Sequence, residues 1–521
     1  MKSISILVLV FFFGIANVHS QQAGTAIKSA STPQQIPDSA ATKPEKKGPS
    51  IPRPSPLREL QTDLEEIINL PELSNASVGI AIQNIESGEY FFRKNESRSL
   101  LPASTQKILT TAAGLELLGR DFRYTTRIYT SGIVQPSGEF TGNLIIRAAG
   151  DPTMSPFFYP DPMELLDHIA QALDSLGIRS IRGNLIIDHS YFDNQIYGPG
   201  WAIDDIPYPY SAQVSAIAFY DNKVDITVLP GEKPGDPGKI GLQPENDYVR
   251  IINMVITGNA DEPSIVFAER DNRSNIIEVR GRIGQNQQST KLSIAIDNPP
   301  RFFLHLLRNQ LEKQGLRIRG ALIDSEDLNE PLSYSGLKQI YAFSSPPLSE
   351  IIAVINKFSH NLCAEMLLKT IGKESSGTGS FPKGTEQVKR FAASLGLAPD
   401  NLIAVDGSGL SRLNLITPQQ QVTLLSRLFR SRNREDIIAS LSMPGAQGTL
   451  RNRLTRSRAE KSVYAKTGSM NNVSCLCGYI FTRDSEALSF SIMVNGFTVP
   501  ESIVYNMQDL ICMRLASFSR K

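Results

Sequence analysis

The sequence predicts a discontinuous α/β (α+β) domain, built from both ends of the chain and interrupted by a large β-rich insertion of one or two domains. Three observations predict it. Helical spacing and strand-like runs are mixed both shortly after the N-terminus and in the last third of the chain. A long middle stretch instead carries short strands punctuated by Gly, Pro and Asp. The 521 residues, 41% hydrophobic and 20% charged, can fill two or three cores and lack the composition of a disordered chain.

Lys2, the apolar run from Ile4 to Ile15 and the small residues at Val18-His19-Ser20 predict an export signal over 1–20, hence a periplasmic or other extracytoplasmic destination in a bacterium. An uncleaved anchor is the alternative, but the run falls short of the roughly 20 apolar residues of a span, so no integral membrane segment is expected. Residues 21–57 hold Pro33, Pro37, Pro44, Pro49, Pro52, Pro54 and Pro56 among Lys, Ser and Gln and predict a disordered spacer. Folding is expected from 58, where Leu60, Leu64, Ile67 and Ile68 recur at helical spacing, followed by strands at 76–84 and 89–92. Residues 103–118 predict a helix with Ile108, Leu109, Ala112, Leu115 and Leu118 on one stripe and Gly119 as its cap.

Short strands then run through 143–148, 183–188, 224–229 and 249–256, so the middle reads as mainly β. Helical patterns return at 304–314 and continuously over 348–372, and Thr417-Pro418-Gln419-Gln420 forms a capping box. Strands at 473–481 and 488–495 and a helix over 501–515 close the chain. These elements divide it into a catalytic domain of 58–122 and 345–521 and an inserted region of 123–344. Within the latter, 123–211 plus 297–344 are expected to form one domain and 212–296 a second.

The 53 basic and 52 acidic side chains nearly cancel, which excludes a global field for nucleic acid. Cys363, Cys475, Cys477 and Cys512 are too scattered for a disulfide framework and are read as core residues, a single disulfide being the alternative. No GxSxG elbow, HExxH, P-loop or dinucleotide fingerprint is present, and five histidines leave little for a Ser-His-Asp triad or a metal site. No metal or cofactor is expected.

A serine can instead be activated by a neutral lysine three residues on along a helix. Ser104-Thr-Gln-Lys107 has that spacing at the start of a strong helix; ordinary capping by Ser104 and a solvated Lys107 is the alternative. Ser335-Gly-Leu-Lys338 and Ser380-Phe-Pro-Lys383 share the pattern, but their Gly and Pro are expected to make poor helix starts. Ser359-His360-Asn361 and Lys466-Thr467-Gly468 follow in the order in which Ser-Asp-Asn-type and Lys-Thr-Gly elements follow Ser-x-x-Lys in penicillin-binding proteins and class A β-lactamases.

With these motifs the chain resembles the class C low-molecular-mass penicillin-binding proteins, D-Ala-D-Ala carboxypeptidases and endopeptidases with large insertions. Further phrases carry the likeness: Gly150-Asp-Pro152, Ala364-Glu365, Asp406-Gly-Ser-Gly-Leu-Ser411, Gly448-Thr-Leu450 and Ser469 after the Lys-Thr-Gly. The resemblance implies a serine DD-peptidase/β-lactamase-like catalytic domain with Ser104 as nucleophile, Lys107 as base and Ser359 as proton relay. It implies that Asn361, Lys466 and Thr467 bind substrate and that the backbone N–H groups of Ser104 and Ser469 hold the oxyanion. It also implies that Lys466, together with desolvation, lowers the pKa of Lys107. Trp201, Asp205 and Tyr210 resemble the stretch that reads the amine of the peptide's diamino acid, with Asp204 as the alternative carboxylate. A solvated turn with a core Trp201 is the bland reading of the same stretch. The implied ligands are peptidoglycan peptides ending in D-Ala-D-Ala or crosslinked through D-Ala, with β-lactams as covalent inhibitors. His360 stands where Asp or Asn is more familiar and is expected to pack. The rivals are a serine β-lactamase and a catalytically silent wall-binding protein.

Overall fold

The computed structural model describes residues 55–521. The predicted signal at 1–20 and most of the predicted spacer lie outside the described residues. The first helix, Pro56–Ile68, begins slightly earlier than expected, because Ser55 accepts from the N–H of Arg58 and Pro56 occupies the first turn, where its missing N–H costs nothing.

The catalytic region is organised on a five-stranded antiparallel sheet, in the order Val463–Met470, Val473–Phe481, Ala487–Asn495, Ser77–Asn84, Tyr90–Lys94. Both chain ends supply strands to it, and both of its faces are covered. Leu476, Ile480, Phe490 and Ile492 pack with Leu60, Leu64, Val504, Met507 and Ile511 of the first and last helices. On the other face Cys475, Cys477, Tyr479 and Met493 join the helical core. The period of two in a strand sorts these residues between two cores, and all four cysteines are buried thiols.

In that helical core lies Lys107–Leu117, buried at every position from Lys107 to Leu115. Where a single apolar stripe was expected, the helix is enclosed on all sides up to Leu115, and only Glu116 and Leu117 at its end are exposed. Its small residues permit this: a Cβ on Gly114 would lie 3.1 Å from Leu367. The predicted continuous helix over 348–372 is instead two helices, Leu348–Lys357 and Asn361–Ser376, broken at Ser359. Ser359 has φ 60°, the left-handed conformation that ends many helices but normally falls to Gly or Asn.

Strands from 125–188 and 317–344 form a five-stranded and a four-stranded sheet, and strands from 223–295 form two three-stranded sheets. The stretch expected to be mainly β also contains the helix Met163–Ser175, whose Leu166, Ile169, Ala170 and Leu173 are buried at helical spacing. Among the described residues no helix is long and apolar enough to cross a membrane.

Candidate active site

Ser104 lies in a 3-10 turn, Ala103–Gln106, that runs into the Lys107–Leu117 helix, so it precedes the α-helix rather than opening it. Ala103 holds φ 46° to make this entry. The turn places Ser104 Oγ 2.8 Å from Lys107 Nζ. That Nζ also donates to Asn361 Oδ1 at 2.6 Å and to the carbonyl of Ser408 at 2.8 Å. A neutral amine has two N–H groups and one lone pair. With Asn361 and Ser408 taking the N–H groups, the lone pair is left for the Ser104 hydroxyl.

Burial pushes the Lys107 pKa down to about 7, while the charges of Glu365 and Asp406 oppose the shift. Of the two expected causes, desolvation leads, and Lys466 is not among the groups that shift Lys107. Repulsion from Lys107 is felt at Lys466 itself, whose pKa is driven well below the usual lysine range by burial and then by Lys107.

Lys466 sits within the edge strand Val463–Met470, not ahead of the strands as the sequence suggested. Its Nζ donates to Ser359 Oγ at 2.9 Å and to the carbonyl of Thr467 at 2.7 Å. Ser359 and Asn361, flanking the helix break, therefore face Lys466 and Lys107 respectively. Ala465 exchanges backbone hydrogen bonds with Ser442 outside the sheet. By the alternation of an extended strand, the N–H groups of Thr467 and Ser469 point out from that same edge. The Thr467 hydroxyl donates to Thr449 Oγ1 at 2.8 Å, and that of Ser469 to the Glu501 carboxylate.

Several residues quoted only as phrases prove structural to the site. Glu365, buried and raised to about pKa 8 chiefly by desolvation and then by Asp406, accepts from the N–H groups of Gly407 and Ser408 at 2.7 and 2.8 Å. It thereby fixes the carbonyl that holds Lys107. Asp406 accepts from the N–H groups of Gly409 and Ser411, from Asn414 Nδ2 and from Trp201 Nε1. Hydrogen bonds between distant segments leave no spacing signal, so these roles were not legible.

The Trp201 stretch comes from the inserted region and reaches the site. Trp201 is anchored on Asp406 at 3.0 Å, so it is neither a simple core residue nor free in solvent. Asp205 Oδ1 accepts from the Tyr210 hydroxyl at 2.8 Å, and the carbonyl of Tyr210 accepts from Asn361 Nδ2 at 2.7 Å. Asp204 instead lines a separate cavity of about 490 Å³ together with Tyr208, Glu269 and Glu278. Ser335 and Lys338 fall at a turn and the start of a strand, as a poor helix start should. Ser380 does not: it caps the helix Phe381–Ser394, whose second position accommodates Pro382 because no hydrogen bond is lost there. The Lys383 ammonium pairs with Glu386, and it is the backbone N–H of Lys383 that reaches the Ser380 hydroxyl.

A half-buried serine hydroxyl against a buried amine of lowered pKa, with a second serine and a second lysine beside it, supplies the groups that serine acyl transfer of the Ser–Lys type requires. Comparison with known proteins narrows the class: residues 60–516 match the family described as D-Ala-D-Ala carboxypeptidase 3 (S13), and the chain belongs to that family. A D-alanyl-D-alanine carboxypeptidase of Actinomadura sp. (strain R39) is 33% identical over 474 residues, covering 89% of this chain and 85% of the relative. The D-alanyl-D-alanine carboxypeptidase DacB of Haemophilus influenzae is 28% identical, covering 82% and 87%. The crystal structure of penicillin binding protein 4 (dacB) from Haemophilus influenzae superposes with a TM-score of 0.76 at 25% identity, over 88% of this chain and 99% of that one. The chain is thus a serine-type D-Ala-D-Ala hydrolase with a penicillin-binding-protein fold.

Proposed function

We propose that Ser104 is the nucleophile, with Lys107 as its base, in a carboxypeptidase and endopeptidase of peptidoglycan stem peptides. The observation that carries this is the 2.8 Å approach of Ser104 Oγ to a buried amine whose other two partners are fixed acceptors. Neutral Lys107 takes the Ser104 proton as Oγ bonds to the carbonyl carbon of the penultimate D-Ala. The N–H groups of Ser104 and Ser469 hold the oxyanion. Collapse breaks the C–N bond, and Ser359, 2.9 Å from Lys466 Nζ, relays to the departing amine the proton that Lys107 took from Ser104. Water then hydrolyses the ester and frees Ser104.

Lys466 and Thr467 receive the carboxylate beyond the scissile bond. An anion there favours the charged form of Lys466, and that cation in turn disfavours a third proton on the Lys107 amine. Asn361 positions the peptide from its place between Lys107 and Tyr210. Asp205, hydrogen-bonded to Tyr210, whose carbonyl holds Asn361, reads the amine of the peptide's diamino acid, and Trp201 anchors that loop. A β-lactam enters as a substrate mimic and stays on Ser104.

The signal predicted over 1–20 and the cell-wall substrate support a periplasmic or other extracytoplasmic destination. The partition of strands among sheets supports a catalytic domain of 58–122 and 345–521, with 123–211 plus 297–344 and 212–296 as inserted modules. Incubating purified protein with peptidoglycan fragments and weighing the products tests the activity. Loss of terminal D-Ala and halving of crosslinked dimers are expected; unchanged masses for both would overturn the reading.

A further inference from the structure

The middle residue of Ser359-His360-Asn361 does more than fill space. Its imidazole commits both nitrogens: Nδ1 accepts the N–H of Cys363 at 3.2 Å, capping the helix Asn361–Ser376, and Nε2 lies 3.1 Å from Asp221 Oδ1. A ring whose Nδ1 accepts carries its proton on Nε2, so Nε2–H donates to the Asp221 carboxylate. Phe157 closes on the ring edge-on, with centroids 5.0 Å apart. The two side chains are only 10% and 7% exposed.

Asp221 belongs to the inserted region and stands in an unusual stretch of backbone. Tyr220, Asp221 and Asn222 have φ of 54°, 58° and 53°, three consecutive left-handed residues without a glycine. L-residues resist this conformation, and it persists where surroundings over-determine it. Asn222 does so here: its Nδ2 donates to the carbonyl of Gln213 at 2.9 Å, its Oδ1 accepts from the N–H of Phe219 at 3.1 Å, and its carbonyl accepts from Ile296 at 3.0 Å. The result is a rigid carboxylate presented to His360. On either side of that ring are Ser359, itself at φ 60° and 2.9 Å from Lys466, and Asn361, 2.6 Å from Lys107.

We propose that Asp221 and His360 form a positioning pair, through which the insertion sets the placement of Ser359 and Asn361 around the nucleophile. The inference rests on the Ser104/Lys107 reading above. It gives the insertion a part in the acylation step as well as in substrate choice. Neither residue touches the reacting atoms, so the pair acts through Ser359 and Asn361, chiefly on the rate of acyl transfer and much less on the initial binding of a β-lactam.

Rapid kinetics of the full chain with a fluorescent penicillin separates the dissociation constant of the first complex from the acylation rate constant. Asp221→Ala is expected to lower the rate constant about tenfold, through a lost charge-assisted hydrogen bond and a looser motif, with the dissociation constant within about twofold. Asp221→Asn keeps an acceptor and is expected to lose less, and it carries the test alone if Asp221→Ala does not fold. Asp221→Ala combined with His360→Asn should be no slower than the slower single variant, since both break one link.

Wild-type rate constants in both Asp221 variants, equal losses in binding and rate, or losses that multiply in the double variant would overturn the pair. Ser104→Ala separates this failure from the larger one. If it abolishes labelling while the Asp221 variants behave as wild type, only the positioning role falls. If Ser104→Ala is still labelled, the nucleophile assignment falls and the pair with it.

Discussion

Gly468, the glycine of the Lys-Thr-Gly motif, is the position at which one methyl group should displace a strand of the site and slow acylation. It lies where the edge strand Val463–Met470 crosses the nucleophile turn. A Cβ there would sit 2.8 Å from the carbonyl oxygen of Pro102, 2.9 Å from the nitrogen of Ser104 and 3.0 Å from that of Thr105. All three are backbone atoms and none can rotate away. Ordinary contact begins at 3.4 Å, so in Gly468→Ala the strand must retreat by about 0.5 Å, taking Lys466, Thr467 and Ser469 with it. Gly468 is not among the glycines of positive φ, so the effect is steric and carries no dihedral penalty.

A misplacement of 1 Å costs about a hundredfold in rate, so half that distance predicts roughly a tenfold loss in the acylation rate constant. Overpacking of this kind costs about 1–3 kcal/mol of stability. Acylation by a fluorescent penicillin measures the first and thermal unfolding the second. Gly241→Ala, whose nearest contact would be an ordinary 3.9 Å, is the control and should change neither. Gly468→Ala acylating and melting as the wild type does would refute the claim that strand and nucleophile turn are packed to contact.

Lys107 reacts only as the free amine, so the acylation rate should rise with pH through about 7 and fall about tenfold per unit below it; a flat profile between pH 5 and 8 would contradict its role as base. Asp205→Ala should remove the preference for peptides bearing a free amine near the scissile bond, read as the ratio of kcat/KM for aminated and acetylated peptides. Asp204→Ala should leave that ratio alone, and the reverse pattern would reassign the carboxylate.

Much of this architecture was written in local spacing. Ser104 and Lys107 could be picked out because their side chains meet across three residues of a single turn, and the capping box at Thr417 and Gln420 forms as its residues imply. What escaped notice was set by tertiary contact. The helix break at Ser359 has no Gly or Pro to announce it; the left-handed serine is held by the packing of two helices and by Lys466. Ser380 was discounted as a helix start because of Pro382, although proline is tolerated in a first turn. Glu365, Asp406 and Asp221 act on residues far away in the chain, and one sequence gives no sign of which distant carboxylate will face which amide or ring.

The most direct test of the central claim is to trap the protein with a β-lactam, weigh it intact and map the modified peptide. One drug equivalent per chain, on the peptide containing Ser104 and absent from Ser104→Ala, is the predicted result. An adduct on another side chain, or none on a folded protein, would contradict it.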